Sequence, residues 1–274
     1  MEWIERLVRR IPAWAACFLL AVVALSGTPG QASAEMPAIP GLNPPPDVRY
    51  AREVEDHVLR LTNQQRAKTG LAELDRDGCL SQLARAQSTD MLVNRYVGHV
   101  NTAGQGASLR VGIHCRTFVG TSGENVWTGS GHDVAPAKRL ARLIMDNWMQ
   151  SPGHRANILR PDFNLMGVGV VYRNSRISAT QVFGGLEAWL DRALPTSIRK
   201  GETLSPDFGR RKQGIPVRYG LRDVSQGTLS GINEFGEAVS AKSAMYRTLF
   251  YFVTEKRGGS TSYKGVPGPV VVIR

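Results

Sequence analysis

The chain has 274 residues, 42% of them hydrophobic and 21% charged, with 34 lysines and arginines against 23 acidic residues and a net charge of +11. These values exclude a disordered, collagen-like or polytopic membrane protein, and the length suits one large domain or two ordinary ones. The positive excess points towards a negatively charged partner or surface before it points to any chemistry.

Arg6, Arg9 and Arg10 precede an apolar run from Ile11 to Leu25, short against the roughly 20 residues of a membrane span. Pro29 and Gly30 break the run, and Ala32-Ser33-Ala34 places small residues where a signal peptidase cuts. A signal peptide over residues 1–34 with cleavage after Ala34 is therefore predicted, and with it a secreted or periplasmic location; an uncleaved signal anchor is the alternative. Export leaves two cysteines, Cys79 and Cys115, an even pair in an oxidising compartment. A bridge between them would contribute on the order of 3–4 kcal/mol through loop closure, and two buried thiols are the other reading. No ladder of Cys and His with zinc-finger spacing is present.

Residues 35–50 are rich in proline, which favours an extended leader. From Ala51 to Lys68, Val54, Val58 and Leu61 recur at helical spacing, and Gly70 is placed to stop the helix. A second helix is predicted from about Leu80 to Leu92. Residues 98–131 hold eight glycines, which predicts a long irregular stretch. A third helix runs from about Pro136 to Trp148, and a short one follows Ser151-Pro152 through Ile158. Strands are predicted at Leu165 to Tyr172 and Ser178 to Phe183. Residues 51–189 thus read as an α+β unit with helices on a small sheet. Residues 190–274 read as a β-rich module, with strands at Val217–Leu221, Thr228–Ile232, Thr248–Val253 and Val270–Ile273. This tail carries 14 basic and 7 acidic residues. Its clusters Arg210-Arg211-Lys212 and Lys256-Arg257 are expected on solvated turns, and an anionic envelope polymer is the partner it would take if they act together.

All five histidines lie ahead of the tail. His99 stands at the entrance to the glycine-rich stretch, Glu124 lies within it, and His154 opens the short helix. Two imidazoles and one carboxylate brought together can hold a divalent metal, zinc foremost, or act as acid and base. Taken singly each has an ordinary structural use, such as capping a helix end, and no compact ligand motif of the H-E-x-x-H kind is present. Nucleic-acid binding is not expected, because few aromatic residues interleave the basic runs.

The order Asn63-Gln64-Gln65-Arg66, then Met91, His99, Arg110 and Gly112, then Gly123-Glu124-Asn125-Val126, resembles the CAP superfamily, or SCP/PR-1 domain, in its bacterial branch. The resemblance continues through Trp148 to Leu159, which contains Ser151-Pro152-Gly153-His154-Arg155, through Gly167-Val168-Gly169-Val170, and through Thr180-Gln181-Val182-Phe183. It covers about residues 51–186 and implies an α-β-α sandwich, with helices on both faces of an antiparallel sheet. It also implies extracellular binding of a small apolar molecule, a peptide or an envelope component in a cleft, with His99, Glu124, Asn125, His154 and Gln181 as ligand-binding candidates. Many eukaryotic members line the cleft with two His and two Glu, in some cases around zinc. Here His99 and Glu124 match, whereas Ser151 and Ser178 stand where the other Glu and His are expected. A metal set of His99, Glu124 and His154 is the version this chain allows, and a metal-dependent, peptidase-like hydrolase with Glu124 as general base is the alternative function.

Overall fold

The computed structural model describes residues 35–211, 214, 216–257 and 260–274, which belong to one compact unit. The expected signal peptide, its cleavage point after Ala34 and Lys212 lie outside the described residues. Among the described residues no helix is long and apolar enough to cross a membrane.

In chain order the first part contains β1 (Arg49–Tyr50), α1 (Arg52–Ala67), β2 (Asp75–Arg76), α2 (Gly78–Asn94), α3 (Ala107–His114), β3 (Phe118–Ser130), α4 (Ala137–Gln150), α5 (Pro152–Ile158), β4 (Leu165–Arg173) and β5 (Arg176–Leu190). The second part contains β6 (Ser197–Ile198), β7 (Phe208–Arg211), β8 (Arg218–Asp223), β9 (Leu229–Glu234), β10 (Ala244–Arg257) and β11 (Ser260–Ile273). Strands β1, β4, β5 and β3 form an antiparallel sheet in that order, with β2 parallel to β4 and β7 joined to β5.

Alternation along the strands sends side chains to two different cores. On one face Met166, Val168, Val170 and Phe183 meet Val54 and Val58 of α1, Leu140, Ile144 and Trp148 of α4, and Ile158 of α5. On the other, Val182 and Phe118 meet Leu80, Leu83 and Ala84 of α2 and Val111 of α3. The result is the expected α-β-α sandwich. Helix α2 lies directly on the sheet because Gly167 and Gly169 offer no side chain there: a Cβ on either would stand 2.1 and 2.2 Å from the backbone of α2. Asp77 caps α2 by accepting from the Leu80 amide at 2.7 Å. Gly70, with φ of +73°, reverses the chain after α1.

The stretch 98–131 is not irregular: it holds α3 and the 13-residue strand β3. Gly104 and Gly131 take positive φ outside the strand, whereas several glycines within β3 mark close approaches. A Cβ at Gly123 would stand 2.7 Å from the Phe163 ring, and one at Gly120 would stand 2.2 Å from the Gly185 carbonyl oxygen. The leader is also part of the packed unit, since Ile39 is buried against α2 and Gln105 Nε2 donates to the Ala38 carbonyl at 2.8 Å.

Residues 190–274 are β-rich as expected, with a second sheet in the order β6, β11, β10, β8, β9. Its core gathers Tyr219, Phe250, Val266 and Val271 with Val119 and Ala188 of the first sheet. Two arginines fasten it to the first part. Arg116 donates to the carbonyls of Leu194, Pro195 and Val270, and Arg247 to those of Ser108 and Gly268. Burial pushes both guanidinium pKa values down to about 10. Arg210-Arg211 and Lys256-Arg257 sit in strands β7 and β10, not on turns, because β-pairing extends further than the apolar runs that suggested the strands. Cys79 and Cys115 are bridged, with an S–S distance of 2.02 Å and Cα atoms 5.8 Å apart.

Candidate functional site

The site begins with the C-terminal turn of α2, whose polar residues hold the next loop. Asp90 is buried and accepts from Tyr96 Oη at 2.6 Å and from the amide and hydroxyl of Thr102, both at 2.8 Å. Gln87, also buried, donates to the Gly98 carbonyl at 2.7 Å. Burial, followed by the Asp90 carboxylate, drives the Tyr96 pKa above its ordinary range, so Tyr96 stays a neutral donor. These bonds set the position of His99, which is fixed at its base and exposed at its ring.

Glu124 of β3 points to the α2 face and is 2% exposed, with both carboxylate oxygens engaged. Oε2 accepts from Arg110 Nη2 of α3 at 2.5 Å, and Oε1 lies 3.0 Å from His99 Nδ1. The Arg110 side chain is 1% exposed and also donates to the carbonyls of His99 and Gln105. A buried carboxylate is costly unless paired and hydrogen-bonded, and Arg110 meets both needs. The imidazole is thus locked at Nδ1 with 54% of its side chain still exposed.

The hydrogen bond from Glu124 pushes the His99 pKa above its ordinary value, against opposing effects from burial and Arg110. His154 moves the other way, mainly through burial and secondarily through the charge on His99, so the two imidazoles share one electrostatic neighbourhood. The expected ring titration by NMR has His99 above 6.5 and His154 below it. Since the folded value of His99 is raised, its ion-pair contribution is fully present below the unfolded value and is lost as pH rises through the folded one. Glu124→Gln keeps an acceptor for Arg110 and is expected to bring the His99 midpoint down; an unchanged midpoint would show that the carboxylate is not its cause.

Asn125 and Gln181 lie in the interior and do not reach this surface. They are register partners on the opposite face of the sheet, joined by Asn125 Nδ2 to Gln181 Oε1 at 3.1 Å. Gln181 donates to Thr62 Oγ1 at 2.7 Å, and Asn157 Nδ2 donates to Asn125 Oδ1 at 2.9 Å. This network anchors α5, because Asn125 also donates to the His154 carbonyl at 3.1 Å. The His154 ring makes no hydrogen bond to Glu124, whose partners are His99 and Arg110.

A resident zinc or other dication does not fit these donors. Among the described residues no three His, Cys, Asp or Glu side chains are arranged to hold a metal ion. The carboxylate beside His99, Glu124, is already neutralised by a buried guanidinium, which would repel a second cation. Arg110 is the residue that reading by charge and spacing overlooks: its signal is a single arginine inside the apolar run Leu109-Arg110-Val111-Gly112-Ile113.

Residues 59–183 match the family described as the cysteine-rich secretory protein family, CAP. An uncharacterised protein of Bacillus subtilis, YkwD, is 36% identical over 124 residues, covering 44% of each chain. A second one, the uncharacterised membrane protein YlbC, is 31% identical over 116 residues, covering 42% of this chain and 31% of its own length. The chain therefore spans less than half the length of these curated relatives. Among solved structures, an extracellular protein containing an SCP domain from Bacillus anthracis aligns with 27% identity and a TM-score of 0.40, over 48% of this chain and 40% of that one. An outer surface protein of Borrelia burgdorferi aligns with 18% identity and a TM-score of 0.43, over 51% and 98%. With its ordered motifs and α-β-α layers, the chain carries a CAP domain of the bacterial type.

Proposed function

We propose that this chain is an exported binding module that engages a peptide or an envelope component at His99. The observation that carries this is the exposed imidazole, tied at Nδ1 to a buried carboxylate, so that Nε2 is presented outward. Val97 and Val100 stand on either side of it in the chain and are 60% and 55% exposed, apolar surface that a bound ligand would cover. Export is supported by the bridge between Cys79 and Cys115, which persists in oxidising compartments. The test is a titration of labelled protein with a panel of soluble peptides and cell-wall fragments, following the His99 ring. At least one class should shift it and lose affinity with His99→Ala; a panel that leaves the ring unmoved would overturn the reading.

Hydrolysis is a second reading, favoured by the pairing of a buried carboxylate with an exposed imidazole, an arrangement that suits a general base and its orienting group. The base would then be His99, because Glu124 is buried with both oxygens engaged. Turnover on a peptide and cell-wall panel that survives His99→Ala would remove it. Adhesion of the tail to an anionic envelope polymer has less support, since Arg192, Arg199, Arg218 and Lys264 each sit within 3.9 Å of a carboxylate of this chain.

A further inference from the structure

Strand β3 forms one edge of the first sheet, and its outward backbone groups are covered unevenly. The Glu124 carbonyl accepts from Asn157 Nδ2 and the Val126 carbonyl from Trp148 Nε1, both at 3.1 Å. Even-numbered residues of β3 therefore turn their main-chain groups away from β5. The opposite phase faces the sheet, as the bond from the Gly131 amide to the Ser175 carbonyl shows. Thr128 and Ser130 continue the outward phase, are exposed, and meet no partner there among the described residues. An open edge is a template for another strand, and proteins usually block it. Here it is blocked at Glu124 and Val126 and left open at Thr128–Ser130.

The open end adjoins a groove of about 470 Å³, within the range of sites that hold a small ligand or a few side chains. The groove lies on the α2 face, the same face as Glu124, because Thr128 and Ser130 share its phase and their register partners Ser178 and Arg176 also line it. Met91 and Leu92 of α2 supply buried apolar surface. Arg95 and Arg176 line it as well, both exposed, and neither guanidinium has a hydrogen-bond or ion-pair partner among the described residues. Arg95 ends α2 with φ of 58° and ψ of 46°, a left-handed conformation that costs a residue with a long side chain roughly 1–2 kcal/mol and that glycine normally takes. Val97 joins this groove to the His99 surface two residues on. Four residues of strand separate Glu124 from Thr128, about 13 Å at the rise of an extended chain, so a short peptide spans both.

We propose that the open end of β3 takes an extended acidic peptide as an added edge strand at Thr128–Ser130, with every second side chain entering the groove, apolar ones against Met91 and Leu92 and a carboxylate between Arg95 and Arg176. Main-chain pairing would give affinity and the groove selectivity. The net charge of +11 would speed the approach of such a ligand. The inference rests on the reading of the chain as a binding module and names the chemistry of its partner.

The test uses the full chain with its disulfide intact and the fluorescent pentapeptide acetyl-Val-Thr-Glu-Thr-Val-amide, whose first, third and fifth side chains share one face, alongside a version with two central amides N-methylated and one with Lys in place of the acid. Saturable binding is expected, weakened about tenfold or more by N-methylation, by the Lys exchange and by the double variant Arg95→Glu with Arg176→Glu. The amide signals of Thr128 and Ser130 should move on binding. Both arginines are exposed, so the double variant should keep the wild-type circular dichroism. Equal affinity for the N-methylated peptide, indifference to the charge reversal, or no binding would each overturn the proposal. Movement of His99 signals without those of Thr128 and Ser130 would remove the edge-strand inference and leave the binding-module reading standing. If the pentapeptide binds nowhere, that reading is still decided by its own panel.

Discussion

Arg110→Ala is expected to lower the free energy of unfolding by about 3–5 kcal/mol, the usual cost of stranding one partner of a buried ion pair. The Glu124 carboxylate is 2% exposed, so water cannot replace the guanidinium without opening the α3–β3 contact. The Arg110 bonds to the carbonyls of His99 and Gln105 are lost at the same time. That second loss frees the loop carrying the imidazole, and binding through His99 should weaken even in protein that remains folded. Urea denaturation of Arg110→Ala measures the first effect. Arg110→Met combined with Glu124→Gln should recover much of the stability, because the stranded charge is gone, without restoring the raised titration of His99. A loss under about 1 kcal/mol in the single variant would mean that the carboxylate finds another partner or water.

Arg66→Met is expected to cost about 4 kcal/mol, from orphaned acceptors worth about 1–3 kcal/mol each before water recovers part of them. Arg66 stands near the end of α1, is 1% exposed, and has no carboxylate partner among the described residues. Its guanidinium instead donates to the carbonyls of Ala72 at 2.8 Å, Ile158 and Arg160 at 2.9 Å, and Phe163 at 3.1 Å. Ala72 lies in the connection after α1, and the other three carbonyls end α5 and lead into β4, so one side chain ties two connecting segments together. Burial pushes its pKa down from the ordinary arginine value. Arg66→Lys should be intermediate, since an ammonium offers three donors from one point and cannot reach all four acceptors. Denaturation of the two variants, with the Asn157 side-chain signals as a reporter of α5, checks the ranking. Equal stability of Met and Arg at this position would show that water satisfies the carbonyls.

Helices α1 and α4 were legible in the sequence because each buries a stripe whose spacing follows the helical period, as Val54 and Val58 do, and α5 was legible from its Ser151-Pro152 start. Strand β4 was legible from its valines between glycines, and the cysteine pair from export and parity. Strand β3 was not, since glycine has one sequence signal for two uses. At Gly120 and Gly123 it makes room for a neighbouring carbonyl and for a ring supplied by residues 40 to 65 positions away. The ends of β5 and β10 were hidden for a related reason. Their pairing continues past the apolar run, held by backbone bonds that no side-chain pattern records.

His99 and Glu124 could be singled out by residue type and by family resemblance, and their meeting could not. The contact depends on α2 lying close on Gly167 and Gly169, and on Asp90 and Gln87 holding the loop that follows. The same register that turns Glu124 towards His99 turns Asn125 and Gln181 into the opposite core, a one-residue difference that sequence proximity conceals. The role of Arg110 was decided by the same packing, which brings a buried cation to the carboxylate beside His99. What the sequence determined by itself was the larger helices, the strands β4 and β5 in outline, the cysteine pair and the residue types available for chemistry, because these follow from local period and composition. Which side chains share a surface, which carboxylate is already neutralised and which stretch of strand edge stays open are decided only by long-range contacts, since each depends on partners brought together from distant parts of the chain.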